Sequence, residues 1–387
     1  MRVLVLTTAP LHPALPRPHL LVGALRAAGA QIREVWIPSE ILGGTRAAAL
    51  RGRVATLRAA GRALRAAVRS VRPFLRAARR PADAVVVPYG GTLDPAVARW
   101  ALRGPNRPVL VIDAFLSLWE SAVVDRAMVH PWSLRAVALA LLDRLAIRAG
   151  DLFLVDTPQT AQYFARRYRV DLGRCLAVPV GSDLPASALP PVQTTLRTLF
   201  AGTGLPFHGL RVLLEAIGGL ASAGARVSLD LVGGTPEDRA EAARIPAVRV
   251  HPGPVDRREL SALHARAHVA FGIFGEGEKA DRVVPCKVYD GLASGRPVIT
   301  GESAAVRMLL RGAPGVRLVP RGNPEAIARA VSELMREPDI AGLGRANRRY
   351  FEAHFSSESI GKAILEGISR AQHRRALGPS RVRIAPS

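Results

Sequence analysis

Twelve short apolar runs, each four to six residues long and set between helical patterns, constrain the fold of this 387-residue chain more than any other feature. Six lie in the first half: Val3 to Leu6, Arg33 to Ile37, Ala84 to Pro88, Val109 to Asp113, Leu152 to Asp156 and Leu176 to Val180. They are rich in Val, Ile or Leu and lack polar alternation, the mark of a parallel sheet buried on both faces. A helix over His19 to Ala28, stopped by Gly29, joins the first two. Right-handed crossovers then give a Rossmann-like domain. The stretch Gly181 to Thr195, with Pro185, Pro190 and Pro191, reads as a linker. Beyond it the alternation restarts with runs at Leu196 to Ala201, Val227 to Val232, Val248 to His251, Val269 to Phe274, Pro297 to Thr300 and Val316 to Val319. Helical patterns cover Leu210 to Ala223, Arg257 to Ala267, Lys287 to Ala293, Ala304 to Leu310, Pro324 to Arg336 and, as one segment, about Ile340 to Ser369. The expected class is α/β with two Rossmann-like domains, 1–190 and 191–345, then a helix over 346–372 and a basic tail, 373–387. A ligand is expected in the cleft between the domains.

Within the second half, Phe271 to Thr300 runs strand, loop, helix, strand. In open α/β sheets ligands sit outside the carboxyl ends of the strands, where the loop Glu276 to Pro285 should lie. Lysine usage marks the same place. Of 54 basic side chains only Lys279, Lys287 and Lys362 are lysines, and two of them fall here. A compact ammonium beside a helix N-terminus suits a phosphate; the bland alternative is scatter by chance.

Cys175 and Cys286 have neither metal-ligand spacing nor a disulfide framework, which fits a reducing cytosol, and Cys286 reads as a small core residue. Met1 to Thr7 is too short for a signal-peptide core and no run approaches the ~18 apolar residues of a spanning helix. Leu134 to Ile147, interrupted by Arg135, Asp143 and Arg144, reads as a soluble amphipathic helix. The expectation is a cytoplasmic protein, with peripheral contact at the inner face of the cell membrane left open. Its net charge of +23 bears on that contact. No acidic residue lies between Glu40 and Asp83, where Arg46, Arg51, Arg58, Arg62, Arg65, Arg69, Arg72 and Arg76 occur, the last six on one helical face. Leu57, Leu64, Ala67, Val68 and Val71 occupy the opposite side. Such a helix suits an anionic membrane surface, the alternative being a solvated face. Aromatics are 5% of the chain, too few for a nucleic-acid stacking platform, so no nucleic-acid partner is expected.

These residues also carry a resemblance, over nearly the whole chain, to the family 4 retaining glycosyltransferases, which have the two-domain GT-B fold. Val178-Pro-Val-Gly-Ser-Asp183 resembles the element that closes the family's first domain. Thr198 to Gly209 resembles the strand and loop that open its second, and Leu229 to Gly234 the next strand and turn. Phe271 to Thr300 resembles the donor-binding signature, and the last helix the one that returns to the first domain. The resemblance implies a nucleotide-sugar donor, with Asp290 accepting from the ribose hydroxyls and Lys287 on the same helix face. A surface pairing of the two is the alternative. It also places the Val283 and Val284 amides, with Gly202, Thr203 and His208, near the sugar and diphosphate. Where the family has Glu, this chain has Arg282, and Thr203 and His208 replace the usual Arg and Lys. Lys279, Arg282, Lys287 and His208 are therefore left to supply positive charge. Asp113, in Asp113-Ala-Phe-Leu-Ser117, ends a strand facing the cleft, where it would orient an acceptor hydroxyl or serve as a loop carboxylate.

The expected activity is retaining hexosyl transfer from a nucleotide sugar to a sugar, lipid-linked or small-molecule acceptor, in cell-surface polysaccharide or glycolipid synthesis. Lys287, Arg282 and Asp113 are the candidate catalytic residues. No Asp-x-Asp triplet occurs, so neither metal nor other cofactor is expected. Rival readings are a nucleotide-sugar epimerase of the same fold and a non-catalytic basic binding protein.

Overall fold

The computed structural model describes residues 1–8, 16–37, 53–90, 93–104, 106–251, 253 and 255–377. Arg46, Arg51, residues 9–15 and the end of the basic tail lie outside them. All twelve apolar runs contribute strands, and every pairing is parallel. The first sheet comprises β1 (Arg2–Thr7), β2 (Gln31–Trp36), β3 (Ala84–Val87), β4 (Val109–Asp113), β5 (Leu152–Val155) and β6 (Cys175–Ala177). Its order is β2-β1-β3-β4-β5-β6. The second comprises β7 (Leu196–Gly202), β8 (Val227–Gly233), β9 (Val248–His251), β10 (Val269–Phe271), β11 (Val298–Gly301) and β12 (Val316–Val319). Its order is β12-β11-β10-β7-β8-β9. Strand order reverses between β1 and β3 in one sheet and between β7 and β10 in the other, and both crevices are natural ligand positions.

Adjacent strand residues point to opposite faces, and here both faces are covered. On one side of the first sheet Leu4, Leu6, Val85 and Leu110 meet Phe74, Ala98, Ile147 and Phe164. These come from α2 (Arg53–Ala78), α3 (Asp94–Ala101), α4 (Leu134–Ala149) and α5 (Pro158–Tyr168). On the other side Val3, Val5 and Val111 meet Leu21 and Leu25 of α1 (Pro16–Ala27) and Ile360, Ile364 and Ile368 near the C-terminus. The second domain adds α6 (Leu210–Ser222), α7 (Pro236–Ala242), α8 (Arg257–Arg266), α9 (Glu278–Arg282), α10 (Cys286–Ala293), α11 (Ala304–Leu310) and α12 (Pro324–Met335).

Three elements differ from the sequence reading. The segment expected as one helix from Ile340 is two, α13 (Ile340–Phe355) and α14 (Ser357–Ala376). Ser356 is extended between them and caps α14 by accepting from Ser359 N at 3.3 Å. The break lets α13 lie against α10 while α14 packs on α1. Glu276 to Pro285, expected as a loop, contains α9. On α2 the buried residues are Ala66, Ala67, Ser70 and Phe74, whereas Leu64 and Val68 face solvent beside the arginines. Between the domains, Leu20 of α1, Val180 just before the linker and Leu184 within it cluster with Tyr289, Leu292, Phe351 and Phe355. Each such side chain contributes about 1.5–3 kcal/mol when buried, so the cleft has an apolar floor.

Candidate active site

The site forms where the loops after β7 and β10 cross. Gly209 sits at φ 62°, and a Cβ there would lie 2.2 Å from the Gly275 nitrogen, so no other residue lets the two backbones pass. Phe274 N donates to His208 O at 3.0 Å across the same crossing. Gly202 is tighter in its consequence: a Cβ would fall 2.6 Å from Lys287 Nζ and 3.0 Å from His208 Nδ1. The missing side chain leaves room for a buried ammonium and an imidazole at the switch point of the sheet.

Lys287 rises from the first turn of α10, and its Nζ lies over the Phe200 ring at 3.8 Å. It has no hydrogen-bond partner, nor has His208 Nδ1. Burial lowers the Lys287 pKa to about 7. His208 is driven well below the usual imidazole range by burial and then by Lys287 and Lys279, so it is neutral and offers a ring nitrogen rather than charge. Pro285 caps α10 without a side-chain bond, and its carbonyl accepts from Val288 N at 3.0 Å. Val283 and Pro285 are extended, so the helix begins three residues later than the amides proposed from Val283 onward, and the Val284 side chain is buried in the interdomain core. Thr203 is exposed on the β7 loop.

Asp290 is buried one turn further along α10, yet it does not share a partner with Lys287. Its carboxylate accepts from Ser182 Oγ at 2.5 Å and from Arg257 at 3.1 and 3.3 Å, and Arg257 also pairs with Asp183. Burial raises the Asp290 pKa while Arg257 and Ser182 oppose the shift. Ser182 and Asp183 belong to the linker motif, so this cluster ties donor-side helix to linker. Arg257, at the start of α8, carries no signal in the sequence.

Lys279 and Arg282 stand three apart on α9, on one face, and both turn toward the first domain. Lys279 pairs with Asp125 and stands 3.9 Å from Glu120; Arg282 pairs with Glu120 and stacks on Tyr163 at 3.8 Å. All four charged side chains are buried. Thr157 and Thr160 at the start of α5 both donate to the Arg282 carbonyl. The cations assigned to a diphosphate are thus matched by carboxylates of a π-helical turn, Glu120–Val124, and the residue after it.

Asp113, at the end of β4, is engaged by Arg17 of α1 at 3.1 and 3.3 Å and by Tyr89 N at 3.2 Å. Arg17 also donates to Val178 O and Pro179 O at 3.0 and 3.1 Å. The structure therefore gives this carboxylate a buried cationic partner that the sequence reading lacked. Asp156, at the end of the neighbouring β5, was not anticipated. It is buried, one carboxylate oxygen has no partner, and burial raises its pKa to about 6.

Residues 195–337, the segment holding Gly202, Lys287 and Asp290, match the family model described as Glycosyl transferases group 1. The second domain is thus similar to the group 1 glycosyltransferases. D-inositol 3-phosphate glycosyltransferase of Xylanimonas cellulosilytica is 26% identical over 252 residues, and the match spans 59% of each chain. Sucrose-phosphate synthase of Thermosynechococcus elongatus superposes at a TM-score of 0.66 with 17% identity, covering 96% of this chain and 99% of that one. Anabaena HepE in complex with UDP and glucose gives 0.67 and 14%, covering 96% and 100%. At these identities the likeness establishes the fold alone: the chain has GT-B architecture.

Proposed function

We propose that the chain is a family 4 glycosyltransferase that moves a hexosyl group from a nucleotide sugar to an acceptor hydroxyl with retention, in cell-surface polysaccharide or glycolipid synthesis. The observation that carries this reading is the Lys287 ammonium, buried without a partner beside Gly202 and His208. A desolvated lone cation costs several kcal/mol, and a diphosphate would offset that cost. The same charge acts most strongly when the diphosphate departs, because negative charge then grows on it. The C–O bond to the diphosphate breaks, the acceptor oxygen attaches on the same face, and its proton passes to the leaving phosphate. Side chains, Lys287 foremost, are proposed to supply the positive charge in place of a metal. HepE has been solved with UDP and glucose and with UDP-glucose, which makes UDP-sugars the first donors to test.

Calorimetry with UDP, GDP and ADP tests the donor site, and incubation with UDP-glucose tests the reaction. Turnover only with an acceptor supports transfer, whereas turnover of donor alone indicates an epimerase. Absence of binding by every nucleoside diphosphate overturns the reading. Asp290→Ala is expected to weaken nucleotide binding by ~1.5–3 kcal/mol through hydrogen bonds lost to a charged group. Unchanged affinity would remove Asp290 from the donor site.

The pairing of Lys279 and Arg282 sets a competition. If both reach the diphosphate, Glu120 and Asp125 oppose them by holding the same cations, and Glu120→Gln with Asp125→Asn should tighten UDP binding severalfold. Affinity unaltered by the double change would confine the four residues to holding the domains together.

A further inference from the structure

Helices α2, α3 and α4 lie side by side on one face of the first sheet, and their outward surface is apolar where a water-facing helix is polar. On α4, Leu134, Ala138, Leu141 and Leu145 follow at steps of four, three and four and form one ridge. It lies opposite the buried Ala136, Asp143 and Ile147. Leu134 is 88% exposed, Leu145 57% and Leu141 53%, and Trp132 just before the helix is 90% exposed. The expected amphipathic helix is present, with these leucines on its outward face. Leu64 and Val68 of α2 and Trp100 of α3 are exposed as well.

The charge on this surface has one sign. The three helices carry eleven arginines, and their only two carboxylates, Asp94 and Asp143, are buried. Arg65, Arg69 and Arg72 on α2 and Arg144 and Arg148 on α4 are exposed beside the apolar residues. A leucine ridge flanked by guanidinium groups, with an indole at its end, matches the layered chemistry of a bilayer interface: acyl chains below, phosphates above and an amphipathic boundary between. No described helix is long and apolar enough to cross a membrane, so contact would be lateral.

We propose that the α2–α3–α4 surface docks on an anionic lipid bilayer, Trp132 and the α4 leucines entering the headgroup boundary while the arginines engage lipid phosphates. Charge separates this from pairing with a second copy. A two-fold interface brings the same patch against itself, which would set arginine against arginine with no exposed carboxylate on these helices to relieve it. The inference rests on this surface alone and does not depend on the donor-site reading.

The test uses the full chain and vesicles made of equal parts phosphatidylglycerol and phosphatidylcholine, compared with phosphatidylcholine alone, in a flotation assay at low and high salt. The protein should float only with the anionic vesicles and less so as salt screens the arginines. Two variants, Leu134→Gln/Leu141→Gln/Leu145→Gln and Arg144→Gln/Arg148→Gln, should each lower partitioning by about tenfold or more. Both alter exposed positions, and unchanged melting curves and circular dichroism would show that the fold is intact. Tryptophan emission should shift to shorter wavelength on anionic vesicles, and Trp132→Phe should remove most of that shift. Failure to float at low salt, equal flotation on neutral vesicles, or leucine variants that partition like the parent each overturn the proposal. So does a dimer in light scattering that the leucine variant dissociates, which would assign the face to a second copy.

Discussion

Replacing Lys287 by Met is expected to remove nucleoside diphosphate binding and, at the same time, to raise the melting temperature of the free protein. The two effects share one cause. Burial lowers the Lys287 pKa from 10.5 to about 7, while the unfolded chain keeps the ordinary value. Between those pH values the unfolded state holds a proton that the folded state lacks, so stability rises with pH across that window. The penalty of the buried ammonium is therefore complete below pH 7 and fades toward pH 10.5. At 1.36 kcal/mol per pH unit it is of order 5 kcal/mol near pH 6. Loss of the contact with the Phe200 ring, 3.8 Å from Nζ, reduces the gain. The Met variant should gain most in melting temperature at pH 6 and little above pH 10. Parent protein should bind UDP most tightly below pH 7, with affinity declining as the ammonium loses its proton. Melting curves across pH 6–9 with and without UDP check both. A Met variant that UDP still stabilises as strongly would place the diphosphate elsewhere.

The fold was legible because its signal is repetitive. Twelve apolar runs without polar alternation have few outcomes other than parallel sheets covered on both sides, and each strand of the first domain meets helices above and below. Lys287 was legible for a different reason: lysine is rare here, and a rare residue at a strand-to-helix junction stands out. What the sequence could not convey is pairing over long separations. Arg17 and Asp113 are 96 positions apart, Arg282 and Glu120 162. Each looks from its neighbours like a free functional charge; folding of the first domain joins the first pair, and the approach of the two domains joins the second. The exposed α4 ridge was hidden for the converse reason. Leucines at helical spacing define a face, but periodicity does not say whether that face meets a sheet or solvent.

Arg17→Met should lower the stability of the first domain by about 3–5 kcal/mol, the usual cost of stripping one partner from a buried ion pair. Both side chains are almost inaccessible, at 3% and 0%. The change would leave the Asp113 carboxylate without its cation and the carbonyls of Val178 and Pro179 without the Arg17 guanidinium. At ~2–4 °C per kcal/mol for a domain of this size, the first-domain transition should fall by about 10 °C. Adding Asp113→Leu removes the stranded charge and should recover part of the loss, because much of the penalty belongs to the unpaired ion rather than to the missing pair. Catalysis then separates the two roles open to Asp113. If it orients the acceptor, Asp113→Asn, which keeps an oxygen for Tyr89 N, should depress kcat with the donor KM unchanged even at temperatures where the variant is fully folded. If the carboxylate only anchors α1 and the linker through Arg17, activity should follow the folded fraction alone. The buried Asp156 at the neighbouring strand end, one oxygen of which has no partner, then becomes the carboxylate to substitute next.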